Sequence, residues 1–328
     1  MVAVSVVVVT MGQGAQLTTC LTSLTAQTFR DFEVITVVNG AASNFQLENA
    51  VTLVQQTRLV FTGSNVGYGA ACNVGAKAAN GSILLFLNDD TVLQPECLSQ
   101  IHGLLSRERA CITQPLIFHE YASVWRRGNP CDVYGAAGVG FYRGCGTGEF
   151  FASGACLSVG KHTFQSLGGF DEILFLYHDD VDLCWRARLR GIKISSAPEA
   201  TCVHAGGESS TSMPHPVKFY YTQRNRFRVL IKNYSVRRLL LRLPVAVSLI
   251  IAGATFLSLN HHSPKYILKA FNALFWNIAV IQNTIAERRV VQSTRVVGDA
   301  VIEDAMSEGS MDLCVLRRHL THGNQRLN

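Results

Sequence analysis

The sequence predicts an α/β fold with a mostly parallel central sheet flanked by helices, followed by a C-terminal hydrophobic helical hairpin. Three observations predict it. Residues 2–10, VAVSVVVVT, form a continuous β-branched run, the pattern of a strand covered on both faces. Similar apolar runs alternate with stretches of helical spacing as far as residue 88, as expected of βαβ units. From Leu239 the composition changes, and two nearly charge-free apolar runs follow.

After a glycine-containing turn, Leu17, Cys20, Leu21 and Leu24 recur at helical spacing, giving a helix of roughly 12 residues. EVITVVN (33–39) reads as the second strand and RLVFTG (58–63) as a short third. Residues 67–80 read as a helix and SILLFLN (82–88) as a fourth, buried strand. The glycine-rich stretch 119–150, with Trp125, is a poor core and is expected to be irregular, facing the acceptor. Strand character returns in FFASGACLSVG (150–160), HTFQSLGG forms a short helix ending in glycine, and KISSAPEATCVH (193–204) forms a strand that ends in His204. In a parallel sheet, ligands bind beyond the carboxyl ends of the strands. That rule selects Thr10, Asn39 and the triplet Asn88-Asp89-Asp90.

The C-terminal runs LPVAVSLIIAGATFLSL and AFNALFWNIAVIQNTIA are each about 17 residues, at the short edge of a membrane span. Pro244 and the polar interruptions favour a hairpin lying in or dipping into the membrane interface over two clean spans, with a buried soluble hairpin as the alternative. The basic residues before it (Arg224, Arg226, Arg228, Lys232, Arg237, Arg238 and Arg242) suit anionic lipid on the cytoplasmic side. The expected organisation is an α/β domain over 1–235, a hydrophobic region over 236–290 and a polar tail over 291–328.

Of the 328 residues 48% are hydrophobic and 16% charged, and a net charge of +6 without aromatic interleaving excludes a nucleic-acid binder. Ten cysteines occur with no CxxC pair, so structural zinc is not expected. Cys20, Cys72, Cys156 and Cys184 lie in apolar patterns and read as small core residues of a reducing compartment. A strand beginning at Val2 leaves no room for a cleavable leader, so folding in the cytosol is expected.

Four groups could carry chemistry. A hydrophobic strand ending in Asn88-Asp89-Asp90 offers hard oxygen ligands to a divalent ion that carries phosphate, or else a turn and a helix cap. In GSNVGYGAACNVGAK (63–77) the third position of a dinucleotide fingerprint is Cys72. A nicotinamide site is therefore disfavoured, and a loop packed near a nucleotide fits better. In FLYHDDVDLCWRARLRG (175–191), Asp179, Asp180 and Asp182 precede three arginines. One helix cap needs one acid. Three acids after an aromatic run suit a general base whose proton affinity is raised by crowding and burial. His204 is either the structural polar end of its strand or a metal or phosphate ligand.

Taken in order, SVVVVT, LTSLTAQTFRDFEVITVVN, NVGYGAACNVGAKAANGSILLFLNDDTVL, GACLSVGKHTFQSLGGFDE, FLYHDDVDLCWRARLRGIKI, PEATCVH and YYTQRNRFRVL resemble the family 2 glycosyltransferases, most closely their bacterial rhamnosyltransferase-like branch. The resemblance covers about residues 4–235. It implies a GT-A fold and an inverting, metal-dependent transfer of a sugar such as rhamnose from a nucleotide-diphosphate sugar. The acceptor would be a saccharide or lipid-linked glycan of cell-surface polysaccharide synthesis, at the cytoplasmic face of the inner membrane. Asp180 then stands as the catalytic base, and Asp179, where the family usually has Glu, tunes or positions it. Asp90 is the implied ligand of Mg²⁺ or Mn²⁺, with His204 completing the metal or diphosphate site. Thr10 and Asn39 fall where the nucleoside is held, and Arg224 falls near the phosphates. Asn65, Gly67, Asn88, Asp89 and Gly154 are further implied substrate contacts. Two departures stand out: Asn39 replaces a usual aspartate at the end of the second strand, and Asn88 opens the DxD place. They leave room for an inactive nucleotide-sugar-binding relative. A sugar nucleotidyltransferase is the other rival, but TMGQGAQ lacks the basic triphosphate loop it needs.

Overall fold

The computed structural model describes residues 2–12, 14–40, 57–108, 110–138, 145, 148–206, 213 and 215–322. The departures expected at VVNGAAS and the polar loop after His204 lie partly outside these residues. The chain divides into two compact units: residues 1–128, 151–188 and 192–212 form one, and 129–150, 189–191 and 213–328 the other. This division follows other lines than composition, because residues 129–150 and 213–235 cluster with the C-terminal helices.

The first unit is built on a nine-stranded sheet in the order β3-β2-β1-β4-β8-β6-β9-β5, with β7 on β6. Its strands are β1 Val4–Thr10, β2 Phe32–Val38, β3 Thr57–Phe61, β4 Ile83–Asn88, β5 Thr91–Leu93, β6 Cys111–His119, β7 Val124–Arg126, β8 Cys156–Gly160 and β9 Lys193–His204. Pairing is parallel from β3 through β2 and β1 to β4. Beyond β4 the sheet turns mixed: β8 is antiparallel to β4 and β6, β9 runs parallel to β6, and β5 returns antiparallel to β9. The expected parallel sheet is thus its N-terminal half.

Every residue of β1 and β2 is buried, as their unbroken apolar runs require. Alternate residues serve opposite faces. Val4, Val6 and Val8 meet Leu17, Leu21 and Leu24 of α1 (Gly14–Thr25) and residues of α3 (Cys97–Arg107). Val7 faces α2 (Tyr68–Ala78), where a Cβ on Gly75 would stand 2.3 Å from its Cγ1. Only a glycine lets helix and strand approach this closely. Beside it Phe86, Phe164 and Phe170 pack with ring centroids 4.9–5.3 Å apart, which seats the short α4 (Lys161–Ser166). α5 (Asp179–Leu189) carries the three acids in its first turn and arginines in its last, as its dipole favours. Its Asp182 and Arg186 form a buried ion pair at 2.8 Å, with the guanidinium also bound to the Gly169 carbonyl.

The second unit contains α6 His215–Asn233, α7 Val236–Asn260, α8 Lys265–Ala279, α9 Ile281–Ser293, α10 Asp299–Asp304 and α11 Met311–His322. The expected hydrophobic hairpin is α7 and α8: Ile250, Ala254 and Leu257 pack on Tyr266 and Ala270 across the turn. Among the described residues only α7 is long and apolar enough to cross a membrane by length and composition. Much of its apolar surface is exposed, including Leu240, Leu241 and Leu259, as are Leu268, Phe271, Phe275 and Ile278 on one face of α8.

Two expectations are corrected here. The basic residues of α6 do not form a lipid-facing patch, because Arg224, Arg226, Arg228 and Lys232 are all buried. Arg226 pairs with Asp312 at 2.8 Å, and Arg228 donates to Thr284 and Asn283. A buried guanidinium is tolerable only with such partners. Further on, Arg238 and Arg242 both pair with Glu303. Secondly, not every cysteine is free, since Cys145 and Cys314 are disulfide-bonded. They are 169 residues apart and meet because Asp132 accepts from the Met311 N–H while Ala136 and Cys145 pack on Met311 and Val315. The other eight, including Cys20, Cys72, Cys156 and Cys184, are buried thiols as expected.

Candidate active site

The first unit brings most of the sequence-predicted residues to one end of its sheet. Asn39 follows β2 and uses its whole side chain internally. Its amide donates to Asn65 Oδ1 (3.2 Å) and the Gly67 carbonyl (3.3 Å), and its Oδ1 accepts from the Val66 N–H (2.9 Å). An aspartate could not donate these two bonds, so asparagine here organises the 62–67 loop. Thr10 ends β1, its carbonyl accepting from the Asn39 N–H and its Oγ1 from the Gly12 N–H. Gly67 opens α2 at φ 91°, and a Cβ there would lie 2.5 Å from the Phe175 carbonyl oxygen. The next N–H, that of Tyr68, donates to that same oxygen at 2.9 Å.

This contact holds the segment before α5 in an unusual shape. Phe175, Tyr177 and His178 all have positive φ (64°, 66° and 66°), each strained for a residue with a side chain. The strain delivers the acids. Asp179 is buried, with Oδ2 lacking any hydrogen-bond partner. Asp180 is only half-buried, and each oxygen accepts one backbone N–H: Oδ2 from Gly154 (2.9 Å) and Oδ1 from Val181 (2.8 Å). Burial, then the neighbouring Asp180 charge, pushes the Asp179 carboxyl up to about 8. Burial raises Asp180 to about 6, with the Gly154 and Val181 N–H groups opposing it. Adjacent carboxyls in low dielectric share protons unevenly. Near neutrality the buried one keeps its proton while the accessible one is ionised. Gly154 is fixed in turn by Tyr68, whose hydroxyl donates to its carbonyl at 2.6 Å.

β4 ends beside this pair, the Asn88 N–H donating to the Ala155 carbonyl. The sequence allowed a helix cap after Asn88, but Thr91–Leu93 instead form β5, whose Thr91 lies opposite His204 of β9. The register brings His204 Nε2 to 3.2 Å from Asp90 Oδ2 and 3.4 Å from Asn88 Nδ2. Both Asp90 oxygens are buried and, among the described residues, accept no hydrogen bond. Asp89 beside it is half-buried. Among the described residues no group of three or more His, Cys, Asp or Glu side chains is placed to hold a metal ion. Asp90 and His204 are two such side chains in contact. Two ligands each about 2.1 Å from one ion stand about 3 Å apart, which the observed 3.2 Å matches.

Two aromatic residues not singled out in the sequence complete the cluster. His119 ends β6 level with His204, Nδ1 to Nδ1 at 3.2 Å, and burial, then the charge of His204, lowers its imidazole to about 3. Tyr121 stands edge-on to both rings at 5.5 and 5.7 Å. Burial, then Asp90, and more weakly Asp180, raise its hydroxyl to about 12, so both carboxylates act on one phenol. The only signal for His119 was a polar residue ending an apolar run, the pattern that had selected Asn88 and His204. Arg224 belongs to the second unit, where its guanidinium lies 4.1 Å above the Trp276 ring and 4.7 Å from that of Tyr221.

A mixed sheet with carboxylates at its strand ends defines a GT-A-like protein. The crystal structure of GalNAc-T7 with UDP, GalNAc and Mn²⁺ matches with a TM-score of 0.57 at 17% identity, over 70% of this chain and 48% of that one, a likeness of fold alone. The chain belongs to the Glycosyltransferase like family 2, whose family model matches residues 2–228. Its relatives include the dTDP-rhamnosyl transferase RfbF of Shigella flexneri, 25% identical over 60% of this chain and 71% of that protein. The N-acetylglucosaminyl-diphospho-decaprenol L-rhamnosyltransferase of Mycobacterium tuberculosis is 29% identical over 64% of this chain and 78% of its own. The resemblance to a rhamnosyltransferase-like branch therefore holds.

Proposed function

We propose that this protein is an inverting glycosyltransferase that moves a sugar, rhamnose being the first candidate, from a nucleotide-diphosphate sugar to a saccharide or lipid-linked acceptor in cell-surface polysaccharide synthesis. The observation that carries this is the Asp179–Asp180 pair. A half-exposed carboxylate held by two backbone N–H groups, with a proton affinity near that of a neutral solution, is equipped to take a proton from an acceptor hydroxyl. Asp179 keeps its proton and serves as the wall behind the base. Displacement at the anomeric carbon then follows from the opposite side to the leaving diphosphate, which gives inversion.

Asp90 and His204 fit a hard divalent ion, Mg²⁺ or Mn²⁺, as two protein ligands whose remaining positions suit diphosphate oxygens and water. Such an ion neutralises charge on the leaving diphosphate. Asn65, Gly67 and Asn39 shape the donor loop through their mutual bonds, Thr10, Asn88 and Asp89 stand at the neighbouring strand ends, and Gly154 orients the base. The exposed apolar residues of α7 and α8 support attachment to a membrane, and the cytoplasmic face rests on the family resemblance. The Cys145–Cys314 bond is the observation that weighs against a reducing compartment.

The test is nucleoside-diphosphate release by the detergent-purified protein with dTDP-, UDP- and GDP-sugars, with and without Mg²⁺ or Mn²⁺. Metal-dependent release from one donor establishes the activity and identifies the donor. Failure to bind any donor by calorimetry removes the reading.

A further inference from the structure

One buried side chain beside Asp90 and His204 has no part in the function above. His119 makes a single side-chain hydrogen bond among the described residues, Nδ1 to Nδ1 of His204 at 3.2 Å, and its Nε2 is buried without a partner. A buried polar group without a bond is destabilising, and an apolar residue at the end of β6 would avoid that. The surroundings also fix the ring. Tyr121 closes against it edge-on, and Tyr121 is seated only because Gly206, at φ 89°, has no Cβ, which would lie 2.5 Å from the phenol ring.

We propose that His119 is the positioning residue for His204, accepting the His204 Nδ1–H and so holding Nε2 bare beside Asp90. This rests on the reading of Asp90 and His204 as the ion-binding pair. An imidazole nitrogen that ligates an ion cannot carry a proton, so a neutral His204 carries its proton on Nδ1. That proton needs an acceptor, and the atom facing it is His119 Nδ1. The His119 proton then sits on Nε2. A ligating histidine most often donates to a carboxylate or a backbone carbonyl, and that second contact sets both its tautomer and its orientation. Here another imidazole does it, which leaves Asp90 as the nearer negative charge on the ion.

The experiment is a titration of the full-length protein with Mn²⁺ alone, free ion being read by electron paramagnetic resonance. His119→Phe keeps a ring but removes the acceptor, whereas His119→Asn returns an acceptor oxygen near the Nδ1 position. The proposal expects affinity to fall about 10- to 100-fold in His119→Phe and to recover to within a few-fold of the unmodified protein in His119→Asn. Unchanged affinity in a folded His119→Phe, with Asp90→Asn abolishing binding, overturns the proposal and leaves the ion-binding pair standing. Equal weakening in both His119 variants also overturns it, because the acceptor is then not what matters. No Mn²⁺ binding by the unmodified protein removes the ion-binding pair and the proposal with it. Should His119→Phe fail to fold, imidazole ¹⁵N shifts of the unmodified protein decide: a protonated Nδ1 on His204 supports the proposal, and a protonated Nε2 contradicts it.

Discussion

Replacing Asp179 with asparagine is expected to stabilise the protein, by an amount that depends on pH. Asp179 is buried, its Oδ2 has no hydrogen-bond partner, and its carboxyl is raised to about 8 from an ordinary value of 3.8. As pH rises from about 4, the unfolded chain releases this proton while the folded chain keeps it, so folding loses about 1.4 kcal/mol per pH unit. The loss ends near pH 8, where the folded carboxyl also ionises. Asparagine has no proton to lose and resembles the protonated acid in shape. The stability gap between Asp179→Asn and the unmodified protein should therefore widen by about 2–3 kcal/mol between pH 5 and pH 7 and level off above pH 8. Urea unfolding of both proteins at several pH values measures it. A gap independent of pH, or one favouring the unmodified protein as pH rises, would refute a protonated Asp179 and the division of labour between the two acids.

Transfer activity should fall as pH drops through about 6, where Asp180 takes up its proton, and a pH–rate profile checks this. Gly67→Ala should cost more than about 2 kcal/mol and most of the activity, because it adds left-handed strain to a Cβ set against the Phe175 backbone. Thermal melting and turnover read the two effects. Asp182→Ala should destabilise by about 3–5 kcal/mol by leaving the buried Arg186 guanidinium without its carboxylate, seen as an earlier urea midpoint.

What could be read from the sequence was what repeats locally. The unbroken apolar runs of β1, β2 and β4 marked strands covered on both faces, and their ends marked Thr10, Asn39 and Asn88-Asp89-Asp90. The crowding of Asp179, Asp180 and Asp182 after aromatic residues marked a site beyond capping. Features that depend on distant pairing could not be read. β5 is three residues long, and its strand state follows from pairing with β9. β6 and α3 fell in a stretch to which no element was assigned, so His119 had no frame to give it meaning. The reversal of β8 against β4, which makes the sheet mixed, is written in no local pattern. Cys145 and Cys314 are brought together by Asp132 and Arg226, which are themselves buried by the fold. The arginines of α6 looked like a surface cluster because their partners, Thr284, Asn283 and Asp312, come much later in the chain.

The most direct test of the central claim is Asp180→Asn, assayed side by side for donor binding by calorimetry and for sugar transfer. The account predicts donor affinity within a few-fold of the unmodified protein and transfer reduced to background. Transfer that persists in Asp180→Asn would contradict it and return the search for the base to the other carboxylates of this sheet end.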